Sequence, residues 1–339
     1  MEEYTTDESF TVHLGASVTA ISPTQAWAGD EVTITGNNFF NVPASDVIVD
    51  FGGGATANAT SINGNVIKVK VPEGAKNGTF NVTFTNKQTV KGTRWQRYAL
   101  YENDFNKPDG GSILPYRDGG VPAPNYVKIV DQALEFYYNA EAYAQHEGDR
   151  KYKGAEIVSD FTSWSEGWYG FKFYLPEGKF PKNVEGSTIA QIFQSGDGNT
   201  WAGLLKVDYE NLVIYHRHYS GNPHIDVVGS VKWNEWNNVV LYFRAGRNNK
   251  GCIKIWLGND LIESHPTLNE DNINFFLGYW LDDNTLLGEV TADNIKADII
   301  GPKFGLYVSD EHDRTIRFDD LRVLEGNPDG AFDMIKPIN

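Results

Sequence analysis

The sequence has a single cysteine, Cys252, among 339 residues. No intrachain disulfide is possible, so stability must come from packed cores. No run of 18 apolar residues occurs, which excludes a membrane-spanning helix. Basic residues are scarce: 29 Lys and Arg stand against 45 Asp and Glu, a net charge of −16. Nucleic-acid recognition wants a basic face, so nucleic acid is not expected as a partner. The imbalance is uneven. Residues 1–100 carry 7 basic and 9 acidic side chains, and the remainder carries 22 against 36. A strongly anionic polymer is disfavoured over the surface as a whole, unless a local basic cleft overrides it. No leader peptide is visible. Met1-Glu2-Glu3-Tyr4 is expected to stand in for a removed leader and is set apart from the fold.

Aromatic residues make up 13% of the chain, with 9 Trp, 17 Tyr and 19 Phe, and there are 34 Gly. Strand and turn formers dominate, without long stretches of helical period, so the chain reads as all-β. Residues 1–16 are polar and read as an N-terminal tether. Within 17–95, Asp30 to Gly36 alternates polar and apolar, as a half-buried strand should. Val47 to Phe51 runs into Gly52-Gly53-Gly54, Val66 to Val71 alternates and stops at Pro72, and Thr79 to Phe84 closes the set. Asn63-Gly64 and Asn77-Gly78 supply turns. Short strands at such spacing indicate a small immunoglobulin-like sandwich. Ile21-Ser22-Pro23, Ala28 to Phe39, Val49 to Gly53 and Val71 to Gly74 follow in an order that closely resembles the IPT/TIG family. That resemblance implies a spacer or interaction module and no chemistry.

Residues 96–339 read as one larger sandwich of jelly-roll type, concanavalin-like in architecture. Its clearest strands are Trp168 to Leu175, Thr188 to Gln194, Asn211 to Tyr219, Asn238 to Arg244, Cys252 to Leu257, Lys303 to Val308 and Thr315 to Val323. Asn248 to Gly251 reads as a hairpin loop, and Trp280 to Ile300 as a long loop bordering a site. Lys303-Phe304-Gly305-Leu306-Tyr307 resembles the Lys-x-Gly-x-Tyr strand of jelly-roll polysaccharide lyases, in which the tyrosine is the catalytic acid or base. Gln191-Ile192-Phe193 falls where that group carries Gln-x-His, and Gly154 to Val158 where it carries Arg-x-Glu-x-Arg. Trp236 to Trp256 resembles its Trp…Gly…Trp hairpin, and Arg317 to Val323 its closing strand.

The departures bear on chemistry. A lyase removes a proton next to a carboxylate, which must be neutralised while a base stands near the proton. Phe193 replaces the expected histidine, and Gly154 and Val158 replace the arginines. Tyr307 and Gln191 remain. A tyrosine of ordinary pKa near 10 is a poor base without a cationic neighbour, a role open to Lys303. Strand parity places Lys303, Gly305 and Tyr307 on one face, opposite Phe304, Leu306 and Val308. By the same rule Trp168, Lys172 and Tyr174 share a non-core face, as do Tyr242 and Arg244. Aromatic rings stack on sugar C–H groups and fixed polar groups bond the hydroxyls, so these residues and Phe193 are candidate glycan contacts. Trp164, Trp201 and Trp280, in or beside turns and loops, are further candidates.

Tyr215-His216-Arg217-His218-Tyr219 is the densest polar-aromatic cluster. Its strand begins apolar on both parities, so either His216 and His218 or Tyr215, Arg217 and Tyr219 face the site. Two histidines at i and i+2 lack an evident third metal ligand. Asp104 and Asp319 are candidate ligands of a structural calcium, since calcium takes oxygen donors. No cofactor is required.

An Ig-like spacer before a large sandwich with aromatic faces resembles the surface glycan-binding lipoproteins of Bacteroidetes-type polysaccharide-utilisation systems. The resemblance implies a non-catalytic polysaccharide-binding protein. It also implies secretion or an outer cell-surface location, a lipid anchor outside this sequence as the one membrane attachment, and an outer-membrane glycan importer complex as a partner. The alternative is a polysaccharide lyase acting by β-elimination on a polyuronate through Tyr307, Gln191 and Lys303, with His216 or His218 assisting.

Overall fold

The structure is a computed structural model. It describes residues 15–85, 88–106, 116–118, 121–146, 149–159, 166–195, 200–216, 224–244, 246–263, 273–275, 299–308 and 310–338. The chain divides into two compact units, 1–97 and 98–339.

The first unit is built from β1 (Ser17–Ser22), β2 (Gln25–Ala26), β3 (Glu31–Asn37), β4 (Val47–Asp50), β5 (Thr56–Asn63), β6 (Val66–Lys70), β7 (Gly78–Phe84) and β8 (Gln88–Arg97). Hydrogen bonding orders them β1-β3-β6-β5-β4-β7-β8-β2. β5 joins the two halves, pairing with β4 through residues 56–58 and with β6 through 59–63. Alternation decides what is buried. Val32 and Ile34, Val47 and Val49, Ile67 and Val69, and Phe80, Val82 and Phe84 point into one core with Phe51 and Trp95. This is an immunoglobulin-like sandwich.

The second unit opens with β9 (Ala99–Asn103), β10 (Tyr116–Asp118), β11 (Tyr126–Val130) and β12 (Ala133–Tyr138), then helix α1 (Ala140–Gln145). There follow β13 (Gly154–Ser159), β14 (Glu166–Tyr174), β15 (Ser187–Ser195), β16 (Thr200–Asp208), β17 (Asn211–His216) and β18 (His224–Ser230). The chain then forms β19 (Trp236–Arg244), β20 (Gly246–Leu257), β21 (Ile262–Glu263), β22 (Ile273–Phe275), β23 (Ile299–Tyr307), β24 (Arg314–Glu325) and helix α2 (Ala331–Ile335). One sheet has seven strands, β10-β13-β23-β15-β16-β17-β18. The other has nine strands, seven in the order β11-β12-β24-β14-β19-β20-β21, with β9 paired to β24 and β22 to β20. The expected hairpin loop at 248–251 is instead part of β20, which pairs with β22 through Gly246 and Gly251.

The two sheets close on a single core. Ala155, Ile157, Ala190, Ile192, Leu205, Ile214, Phe304 and Leu306 come from the seven-stranded sheet; Phe136, Tyr169, Phe171, Phe173, Leu241, Phe243 and Phe318 come from the nine-stranded one. Phe304 meets Tyr169, Phe171 and Phe318 edge-on, the arrangement preferred by aromatic quadrupoles.

The outer face of the nine-stranded sheet is partly sealed by the end of the chain. A Cβ on Gly170 would fall 1.8 Å from the carbonyl oxygen of Ile335, so only glycine lets α2 lie this close to β14. Arg322 donates to the carbonyl of Met334, Lys172 donates to that of Ile338 at 2.9 Å, and the Ile338 amide donates to Asp320.

Candidate functional site

The outer face of the seven-stranded sheet collects the lyase-like residues. Ala190 and Ile192 point inward, so Gln191 and Phe193 point out; Ala155 and Ile157 point inward, so Gly154, Glu156 and Val158 point out. Directly opposed residues share a face. One row therefore crosses six strands: Val158, Lys303, Gln191, Leu204, Tyr215 and Ile225. A neighbouring row holds Gly154, Tyr307, Thr188, Lys206 and Val213. On the other side Phe193 is opposite Trp201.

Within this face Glu156 is the hub. Gln191 donates its side-chain amide to one carboxylate oxygen, and the Lys303 ammonium lies 4.0 Å from the other. Burial pushes the Glu156 carboxyl up to about 7, against the opposing pull of Lys303 and the Gln191 hydrogen bond. The same ammonium sits 3.8 Å from the centroid of the Phe193 ring, a cation–π contact. Lys206 lies 3.9 Å over the Tyr215 ring, and burial lowers its pKa.

Lys303 does not act as neighbour to Tyr307. They stand four positions apart on one strand, a span of about 13 Å. The register neighbours of Tyr307 are Gly154 and Thr188, neither charged. Position 154 cannot carry the arginine that the resemblance calls for: a Cβ there would fall 1.9 Å from the Leu306 carbonyl oxygen.

Five expected glycan contacts lie elsewhere. Trp168, Lys172, Tyr174, Tyr242 and Arg244 are on β14 and β19, so their non-core face is the outer face of the nine-stranded sheet. Parity distinguishes core from non-core but does not say to which sheet a strand belongs. Trp168 is 8% exposed. It packs on Tyr242, Trp256 and Phe332 of α2, and its indole N–H donates to Asn327 at 3.1 Å. Lys172 is held by Ile338 and Asp319. Tyr242 is 5% exposed and bonds Glu166. Tyr174 leans on Trp236, and Arg244 is opposite Glu166.

The histidine cluster divides. Leu212 and Ile214 are core residues, so His216 shares the inward parity and is 4% exposed, its Nε2 2.9 Å from Asp226. Tyr215 takes the outward face. Arg217, His218, Trp164 and Trp280 lie outside the described residues.

Each of the two calcium candidates accepts a backbone amide. Asp104 is exposed and accepts the Asn106 amide at 3.2 Å. Asp319 lies 3.6 Å from Lys172 and accepts the Asp320 amide, while burial raises its pKa. Among the described residues no three His, Cys, Asp or Glu gather as a metal site.

The sequence reading missed Glu156 as the hub, and it missed Leu204, Lys206 and Ile225. Glu156 stood in the quoted motif, but its importance depends on cross-strand register. Ile225 and Val227, each 53% exposed on the edge strand β18, carry an unusual apolar signal for a surface.

Comparison with known proteins adds two family matches. The IPT/TIG domain matches residues 16–98, and the polysaccharide lyase family matches residues 131–322. No curated protein matches the sequence. Among solved structures the chain is similar to the endo-β-1,4-glucuronan lyase of the fungus Trichoderma reesei, at 17% identity and a TM-score of 0.44 over 70% of this chain and 98% of that one. It is similar to the PL-14 alginate lyase of Aplysia kurodai, at 13% and 0.40 over 67% and 98%. The receptor-binding domain of botulinum neurotoxin type G follows at 9% and 0.39 over 69% and 49%.

Proposed function

Because this chain belongs to the polysaccharide lyase family, we propose that the outer face of its seven-stranded sheet binds a polysaccharide and does not cleave it. The observation that carries this reading is at Gly154, where the Leu306 carbonyl occupies the space a side chain would need. Elimination needs a cationic or hydrogen-bonding clamp on the substrate carboxylate beside an activated base. Here one of the two positions expected to hold an arginine is closed, the other is Val158, and the expected histidine is Phe193. Lys303 is shared between Phe193 and Glu156. What the face does offer is rings and fixed polar groups: Phe193, Trp201, Tyr215 and Tyr307 with Gln191, Glu156, Lys303 and Lys206. On this reading the protein acts at the outer cell surface within a glycan-utilisation system and works with an outer-membrane importer.

One observation favours a second reading, a lyase. Glu156 has its ionisation near neutrality and lies on the same face as Tyr307, so a proton acceptor and a proton donor are both available. The test of binding is affinity electrophoresis of the full chain in gels containing alginate, glucuronan or a β-1,4-glucan. Retardation by at least one polymer, reduced in Trp201→Ala, is expected. Unretarded migration in all would contradict the proposal.

A further inference from the structure

Among the described residues, α2 and the segment to Ile338 cover the outer face of the nine-stranded sheet as far as Lys172 and Asp319. Beyond them the same face continues as a row across five strands: Lys128, Glu135, Arg317, Tyr174 and Trp236, each opposite the next. Four interstrand steps make this row about 19 Å long. Aromatic pairs mark its ends. Tyr126 and Tyr137 stack at 5.2 Å, and Tyr174 and Trp236 lie 5.4 Å apart. All four rings are half-buried, so each keeps surface toward solvent.

The middle of the row is polar and fixed. Glu135, 5% exposed, accepts from the Tyr126 hydroxyl at 2.9 Å and from Arg317 Nε at 2.8 Å. A second guanidinium nitrogen reaches Asp131 at 3.3 Å. At the ends, the Tyr137 hydroxyl donates to Asp313 at 2.7 Å and the Tyr174 hydroxyl to Asn234 at 3.4 Å. A side chain already held in place loses little rotamer freedom when a ligand arrives. Two ring platforms flanking a planar donor fork and a carboxylate suit pyranose rings, whose C–H faces stack while their hydroxyls bond the charged groups. Lys128 and Arg317 stand against Glu135, Asp131 and Asp313, so the row has no excess of positive charge to favour phosphate or nucleic acid.

We propose that this row is a second carbohydrate site, taking a short stretch of the same class of polysaccharide as the seven-stranded face. The proposal rests on the reading that this unit binds polysaccharide. The two sites lie on opposite faces of one sandwich, so one protein molecule holds two separate glycan segments, and long polymers gain avidity without new contacts.

The test is isothermal titration of the full chain with hexasaccharides of alginate, glucuronan and a β-1,4-glucan. The expected result is two bound hexasaccharides per protein. Trp236→Ala and Tyr126→Ala, at opposite ends of the row, each lower that number to one, while Trp201→Ala removes the other site. Thermal midpoints are recorded alongside. Should Trp236→Ala prove unstable, Tyr126→Ala alone decides, because a value of two in that folded variant overturns the proposal. A wild-type value of one that Trp201→Ala abolishes also overturns it while leaving the first site standing. Absence of heat with every hexasaccharide, and no retardation in gels, overturns the polysaccharide reading and this proposal with it.

Discussion

The ammonium of Lys303 sits 3.8 Å from the centre of the Phe193 ring, on the face where Gln191 and Tyr307 also emerge. The contact joins β23 to β15 and fixes both side chains. A ring held by a cation on one side keeps its position as a stacking platform, and its register partner Trp201 extends that platform by one strand. Phe193→Ala and Trp201→Ala are each expected to weaken polysaccharide binding by about 1–3 kcal/mol, the range for desolvated aromatic contacts at hot spots. That corresponds to roughly a ten- to hundredfold rise in Kd, read by titration calorimetry. An unchanged Kd in both variants removes this pair from the site.

Glu156 makes stability depend on pH. Its folded pKa, about 7, is raised from 4.5, so the ionised form is disfavoured in the folded state. The sign follows from linkage: stability tied to this group is fully present below pH 4.5 and is lost as pH rises through 7. The shift corresponds to about 3 kcal/mol. Glu156→Gln should flatten this decline, so that the difference from the parent protein grows in the variant's favour between pH 4.5 and 8. Urea unfolding at a series of pH values measures it. Parallel curves for the two proteins would show that Glu156 titrates normally.

Trp168 belongs to the packing between β14 and α2, with Trp256, Tyr242 and Phe332 around it. Trp168→Ala is expected to cost about 3–5 kcal/mol, as large-to-small changes of buried aromatics do. Polysaccharide affinity of the folded fraction should not change. Weakened binding with an unaltered thermal midpoint would place Trp168 in a glycan site instead.

Gly170→Ala tests the sealing of the same face. The added methyl meets the Ile335 carbonyl, and relief requires α2 to move. Overpacking of this kind costs about 1–3 kcal/mol. Tryptophan emission should shift to the red as Trp168 and Trp256 lose cover. An unchanged spectrum and midpoint would mean that α2 does not depend on this close approach.

Much of this architecture is legible in the residues themselves. Alternation of two places Val32 and Ile34, or Phe171 and Phe173, in a core without knowledge of any partner strand, and Lys303, Gly305 and Tyr307 on the opposite face. Alternation does not say which strands are neighbours. Trp168 and Phe193 read alike as outward aromatics, yet one faces α2 and the other the candidate site, because β14 and β15 belong to different sheets. The five-residue helix α2 has no pattern long enough to announce itself, and so the burial of Trp168 was invisible. Glu156 gained its place only through the register that sets it between Gln191 and Lys303.

The central claim is binding without turnover, and product formation tests it most directly. The full chain is incubated with alginate and with glucuronan at pH 6, 7 and 8 while the ultraviolet absorbance of unsaturated uronate is followed, in parallel with gel retardation by the same polymers. Retardation by a polysaccharide and a flat absorbance trace are expected. A steady rise in absorbance that Tyr307→Phe or Glu156→Gln abolishes would contradict it and establish a lyase.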